Sequence, residues 1–476
     1  MQITSFVFFG LFAIVFFVVY ILNRIIKSEN KVIVATNLVL LIASYIFVAY
    51  ADYKFAIVLA GLTITTWFFA KKKSTTIFGV ITAVLALAFF KYTNFFAESF
   101  MRIFGNDFVT IRIILPLGIS FYTFSAIGYL IDVYRDKLDS KDFLSVALYL
   151  SYFPKITSGP IQKSKDFFSQ IEKKRVIGWN TFSIGIQIFM FGLFKKIVLA
   201  DRLSVFVNQV YETPLAFSSG TVFLATLSYS LQIYFDFSGY SDMAIGISKM
   251  LGIDLPRNFD IPYLSHNVTE LWKRWHITLS SWLQEYIYIS LGGNRKGTIR
   301  TYINLVLTML IGGLWHGANW TYVIWGFLHG IALAIHKLWM KVTNSAEKKN
   351  TVTGKILSVI VTFLFTNLCW IFFRAESIGK ALTIIQRILS FEQGISQPYM
   401  WFFVSSILLI SAIIVALLKS KDNLSKISKR NISFVEGYYP LVKLESFWGL
   451  VIFFVFCGLI LCWAYTGGSP FIYGTY

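Results

Sequence analysis

Long apolar runs alternate with short basic loops along the whole chain. Runs near 3–23, 33–51, 55–70, 77–97, 180–200, 221–239, 302–335, 355–373, 401–418 and 446–465 approach or exceed the ~20 residues that cross a hydrocarbon core. Less clean apolar stretches lie at 112–133 and 143–154. The pattern predicts about 11 to 13 membrane helices, since only helices satisfy their own backbone in lipid at this hydrophobicity. The fold class is an all-α polytopic membrane bundle. The first run is too long for a signal peptide, lacks a basic leader and is followed by Arg24 and Lys27, so it is expected to persist as a helix.

Three segments break the pattern. Residues 253–300 mix aromatic, charged and apolar positions. Ser265 is placed to cap a helix starting near His266, with Glu270 in its first turn. Leu271, Trp275, Ile277 or Thr278, and Trp282 then share one face, continued by Leu283 and Tyr286. This predicts amphipathic helix lying on the membrane or dipping into it, stopped by the glycines of "LGGNRKG". Residues 153–175 carry Pro154 and Gly159-Pro160, which break any helix. Residues 233–252 place Asp236 and Asp242 beside spans that otherwise lack charge.

Composition supports the membrane reading: 56% of the 476 residues are hydrophobic and 14% are charged, against roughly 25% charged in soluble domains. The net charge of +19 does not point to nucleic acid. It sits in loops, at 71–73, 173–175, 337–355 and 419–430, where lysines beside spans set orientation and mark the cytoplasmic side. Cys369, Cys457 and Cys462 all lie in apolar runs and offer no disulfide framework or metal spacing. No linker or repeat divides the chain. It reads as one domain, with amino-terminal helices at 1–110, a core at 111–340 and carboxy-terminal helices with a tail at 341–476.

Ionisable residues inside a span are functional candidates. His316, in "GGLWHGANW", lies deepest in an apolar run. Its glycine neighbours leave room for a substrate or for another helix. A neutral imidazole suits proton abstraction from a hydroxyl; a structural histidine bonded to a neighbouring helix is the competing reading. His329 and His336 are seven residues apart and share a helical face, but with His316 they match no compact zinc motif. No metal is expected. His276 follows Lys273, Arg274 and Trp275. Such a basic stretch suits a phosphate-bearing donor, or equally anionic lipid headgroups.

Six blocks carry a resemblance. They are "LPLGISFYTF" (115–124), "FPKITSGPI" (153–161), "LFKKIVLADRL" (193–203), "IYFDFSGYSDMAIG" (233–246), 262–295 with its "RWH", and "GGLWHGANWTYVIWGFLHG" (312–330). In this order they resemble the membrane-bound O-acyltransferases, in their bacterial alginate O-acetyltransferase branch. The resemblance implies a ring of tilted helices around a central tunnel with a funnel on each face. It implies that His316 is catalytic and that His276 sits nearby on the donor side. It also implies a cytoplasmic acyl donor with acetyl-CoA fitting best, a polysaccharide acceptor outside and no bound cofactor. An extracytoplasmic SGNH-type or AlgJ/AlgX-like protein would complete the transfer.

The chemistry fits this picture. A thioester is already activated, so the protein needs a base and a dry passage. Lys273 and Arg274 would meet the donor's phosphates, and Asn319 or a backbone N–H the oxyanion. Trp275, Trp315 and Asp236 complete the candidate binding set. Two departures stand out. "WLQEY" at 282–286 has Gln284 where an arginine is usual, and the "SPFIY" tail at 469–473 finishes "GTY". The D-alanylating branch also carries an "RWH" block, which keeps D-alanyl transfer to teichoic acid open. A lipid-linked-glycan transporter would call for an internal repeat, and none is visible.

Overall fold

A computed structural model describes residues 1, 3–343, 351–419, 432–435, 439–465 and 467. The "SPFIY" tail lies outside the described residues, as does most of the 419–430 basic cluster. The chain is almost entirely helical. Four helices open it: α1 (Phe6–Ile25), α2 (Glu29–Ala49), α3 (Tyr53–Ala70) and α4 (Thr76–Leu87). Side-chain caps start several of the helices: Ser5 accepts from Phe8 N, and Asp52 accepts from Lys54 N. A π-helical turn, Ala88–Tyr92, links α4 to α5 (Thr93–Ile103).

The central third is built from α6 (Ile119–Tyr134), α7 (Phe143–Ser151), α8 (Ser164–Ile171), α9 (Trp179–Leu193), α10 (Asp201–Glu212) and α11 (Ser219–Met250). Two short helices follow, α12 (Val268–Arg274) and α13 (Ile277–Trp282), with α13 continuing into a π-helical turn over Leu283–Tyr288. Then come α14 (Thr298–His316), α15 (Trp320–Thr343), α16 (Val352–Arg374), α17 (Ile378–Leu389), α18 (Pro398–Lys419) and α19 (Phe447–Trp463). A two-stranded antiparallel hairpin, β1 (Ile432–Val435) and β2 (Tyr439–Val442), precedes α19.

Eight helical segments among the described residues are long and apolar enough to cross a membrane; Phe447–Trp463 is a shorter apolar helix, and the 22-residue α18 enters the tally only over Pro398–Ser411. The protein is a multi-pass membrane protein. The tally is below the 11 to 13 expected for identifiable reasons. The run at 112–133 begins without helix and leaves α6 only 16 residues, and α7 has only 9. The run at 221–239 is part of the 32-residue α11, whose many buried serines and carboxylates take it outside an apolar span.

Two apolar clusters form the interior. One gathers α1 to α4, α6 to α9 and α13; the other gathers α10, α12 and α15 to α18. Helix α11 contributes to both and acts as the central post. It meets α9 at backbone distance: a Cβ on Gly239 would lie 2.7 Å from the Gly192 carbonyl oxygen, the small-residue packing expected where lipid supplies no hydrophobic drive.

Candidate active site

The amphipathic segment is a helical hairpin with His276 at its tip. The predicted face is buried as expected, at Leu271, Trp275, Thr278, Leu279, Trp282, Leu283 and Tyr286. The helix is not continuous, however. His276 adopts the left-handed conformation (φ 43°, ψ 54°) and breaks it. The cap also differs from expectation. Asn267 accepts from Glu270 N at 2.8 Å, while Ser265 Oγ turns back to the Pro262 carbonyl.

Contacts trace the hairpin's depth against α15 and α16. Thr269 Oγ1 meets His336 Nδ1 at 2.9 Å, Trp272 Nε1 donates to His329 Nδ1 at 3.3 Å, and the Trp275 ring lies 4.9 Å from Trp370. The returning arm packs on α6. Trp282 stacks on Phe124 at 3.8 Å, and Tyr286 donates to Asp132 at 2.9 Å. His329 and His336 therefore do share a face, the one that meets α12.

At the tip the two predicted histidines come together. The His276 ring is 6.1 Å from Trp315, and Trp315 is 5.0 Å from His316. His276 is 0% and His316 4% exposed. Neither ring nitrogen of His276 has a hydrogen-bond partner among the described residues. His316 faces Trp325 at 5.0 Å and Phe373 at 5.1 Å, and Trp325 in turn faces His329 at 5.0 Å. Two tryptophans thus space three histidines along an aromatic row. Trp315 belongs to the first apolar cluster, and Trp275 and Trp325 to the second. The site lies on the seam between them.

Other predicted residues fall elsewhere. Arg274 is tied to Glu270 at 2.8 Å and to the Asp260 carbonyl at 3.3 Å, and Lys273 is exposed beside it. Asp236 is a buried ion-pair partner: Lys196 bridges it at 2.6 Å and Asp201 at 2.8 Å, while Lys195 holds Asp242 at 2.6 Å. The lysine pair of the 193–203 block thus neutralises Asp201 of its own block and both carboxylates of the 233–246 block. Asn319 caps α15 by accepting from Thr321 N at 2.9 Å and donates to the Glu376 carbonyl at 2.9 Å. Those bonds engage its oxygen and one of its two N–H groups. Trp275 is aromatic core against Phe259, Tyr263 and Trp370.

The glycines around His316 admit a helix more than a substrate. A Cβ on Gly313 would sit 2.3 Å from the Tyr322 carbonyl oxygen, and one on Gly317 would sit 2.2 Å from the Tyr322 ring. Both let α15 approach α14 closely enough to set Trp325 against His316.

Asn258 is a residue that sequence reasoning missed. It is 1% exposed and brackets the tip. Its carbonyl accepts from Ile277 N at 2.9 Å, its Oδ1 accepts from Thr278 Oγ1 at 2.6 Å, and its Nδ2 donates to Ser241 Oγ at 3.0 Å.

The hairpin opens onto a basic face. Lys341 Nζ meets Thr298 Oγ1 at 3.3 Å, and Lys73 pairs with Asp136, which brings these loops to one end of the bundle. Two adjoining clefts lie there, of about 510 and 470 Å³, sharing Gln284 and Ile289. Arg295 and Lys337 line one; Arg135, Lys137 and Lys163 line the other together with Glu285.

The family model described as MBOAT, membrane-bound O-acyltransferase family, matches residues 119–375. The chain is 39% identical over 384 residues to a peptidoglycan O-acetyltransferase of Helicobacter pylori, covering 73% of this chain and 72% of the relative. It is 41% identical over 373 residues to a probable alginate O-acetylase, AlgI, of Pseudomonas aeruginosa, covering 75% and 70%. A teichoic acid D-alanyltransferase of Streptococcus thermophilus is more distant, at 30% over 284 residues, or 54% and 68%. The matched stretch holds His276, His316 and the whole hairpin, and the chain belongs to the membrane-bound O-acyltransferase family.

Proposed function

We propose that this acyltransferase moves acetyl groups from a thioester donor on its basic face to a hydroxyl of an exported or cell-wall polysaccharide. One observation carries the reading: two histidines meet across Trp315 at the blind end of a hairpin whose open end is lined with cations. The acetylating relatives, at 39% and 41% identity against 30% for the D-alanylating one, support acetyl over D-alanyl transfer.

In this scheme acetyl-CoA lies with its phosphates among Arg135, Lys163, Arg295 and Lys337 and its thioester toward His276. This moves the phosphate site away from Lys273 and Arg274, because Arg274 is already bound to Glu270. The acceptor hydroxyl arrives from the opposite face, by the tunnel expected of the family. His316 takes its proton as the oxygen attacks the thioester carbon; the C–S bond breaks, and the proton leaves on the thiol. The acceptor is the glycan itself or a separate SGNH-type or AlgJ/AlgX-like protein. Loop lysines beside spans favour the cytoplasmic side, which supports a cytoplasmic donor.

The test uses purified protein in lipid vesicles with acetyl-CoA, following thiol release and acetyl transfer to a soluble glycan fragment. His316→Ala is expected to insert normally and to lose transfer. Full activity in that variant would overturn the reading. Turnover of a D-alanyl-charged carrier protein, with acetyl-CoA inert, would replace it by D-alanyl transfer.

A further inference from the structure

His316 is the last residue of α14, and the end of that helix has an unusual seat. The final carbonyls of any helix lack intrahelical partners and carry the negative end of its dipole. Many helices satisfy them by turning the backbone back through a left-handed residue. Here Gly317 is extended, so the chain runs straight on toward α15. The carbonyls are met from another element, the π-helical turn Ala88–Tyr92.

Tyr92 donates its hydroxyl to the Leu314 carbonyl at 2.6 Å. The Lys91 ammonium donates to the Trp315 carbonyl, to the His316 carbonyl at 3.3 Å and to Ser120 Oγ at 3.2 Å. An ammonium has three N–H donors, and all three are used. The extra residue of a π-turn lets neighbouring side chains reach one target, and such turns often mark functional sites. Ser120 fastens the same point from a second side, since its carbonyl accepts from Trp315 Nε1 at 3.4 Å.

We infer that Lys91 and Tyr92 are positioning residues that hold the His316 backbone, and with it the imidazole, at the reacting centre. Both lie outside the 119–375 stretch that the family model matches. They act through α14 and touch no substrate. A charged donor on a helix C-terminus is stronger than a neutral one, so Lys91 dominates the pair. The inference rests on His316 being the base.

The experiment compares steady-state kinetics of Lys91→Met, Lys91→Arg, Tyr92→Phe and His316→Ala in vesicles with acetyl-CoA as donor. A displacement of about 1 Å at a reacting group costs on the order of 10²-fold. Lys91→Met is expected to lose about that factor in kcat, with the donor KM unchanged. Lys91→Arg, which keeps the charge and several donors, is expected to recover part of the loss. Should Lys91→Met fail to insert, Tyr92→Phe carries the test, with a smaller fall in kcat at constant KM. Unchanged kcat, a loss carried by KM, or Lys91→Arg no better than Lys91→Met would each overturn the inference. An active His316→Ala would instead remove the reading beneath it. A dead His316→Ala beside a fully active Lys91→Met would remove this inference alone.

Discussion

Asn258 bonds to both residues that follow His276. It receives the Ile277 amide on its carbonyl and the Thr278 hydroxyl on its side chain, at 2.9 and 2.6 Å. Between them these bonds hold a non-glycine residue at φ 43°, a conformation that costs roughly 1–2 kcal/mol for most side chains. Strain of this kind persists only where the surroundings over-determine it.

The first prediction separates the histidine's backbone from its ring. Asparagine tolerates the left-handed region and valine does not. His276→Asn is therefore expected to keep the thermal stability of the natural chain while losing activity. His276→Val is expected to lose activity and about 1–2 kcal/mol of stability as well. Asn258→Ala leaves the ring in place but takes the acceptor from the buried Thr278 hydroxyl, which keeps its bond from the Ile161 amide, and the donor from Ser241 Oγ, at about 1–3 kcal/mol. It is expected to lower kcat with His276 intact. Thermal unfolding in detergent, read beside vesicle turnover, decides all three. Equal stability of His276→Asn and His276→Val would show that the tip carries no backbone strain.

The second prediction concerns the buried charges. Lys196 serves two carboxylates, Asp236 and Asp201. Removing one partner of a buried pair typically costs 3–5 kcal/mol, because the remaining charge stays desolvated. Lys196→Met takes the shared cation from two carboxylates, whereas Asp236→Asn leaves the lysine paired with Asp201. Lys196→Met is expected to be the more damaging, with lower yield of folded protein and a lower unfolding midpoint. The reverse order would mean that Asp236 meets substrate and that the ion pair is secondary.

The parts of this architecture that were legible in the sequence depend on local composition. Apolar runs mark spans because lipid demands them, and His316 stands out because a titratable ring in such a run needs a reason. The break at His276 was invisible, because the apolar face continues in register through Leu271, Trp275, Thr278 and Trp282 and a left-handed histidine has no sequence signature. Lys91 was hidden at the polar edge of the 77–97 run, where its neighbours predict only more helix. Its target lies 225 residues away. Glycines beside His316 announced empty space but not its occupant; Tyr322 fills it. Asp236 was conspicuous and Lys196 was not, and only the packing of α11 on the π-helical turn Phe194–Ala200 shows that they answer one another.

The third prediction turns on Glu285, the one carboxylate among the described residues that line the basic clefts. It accepts from Lys163 at 2.7 Å and also from Lys137. Burial alone would push its carboxyl up; the two lysines outweigh that and hold it below its ordinary value. A carboxyl with a depressed folded pKa contributes stability above its unfolded value and loses it only as pH falls through the folded one. That window lies below about pH 4, so between about pH 5 and 8 Glu285 stays charged and offsets part of the cleft's positive field. Glu285→Gln releases both lysines to a phosphate-bearing donor. Its acetyl-CoA KM is expected to fall about 3-fold at low ionic strength and to approach that of the natural chain in roughly 0.5 M salt, where surface charges are screened. Arg295→Gln is expected to move KM the opposite way at constant kcat. A KM that rises in Glu285→Gln would mean that the carboxylate's service is to order Lys137 and Lys163, and that the donor reads their position more than their charge.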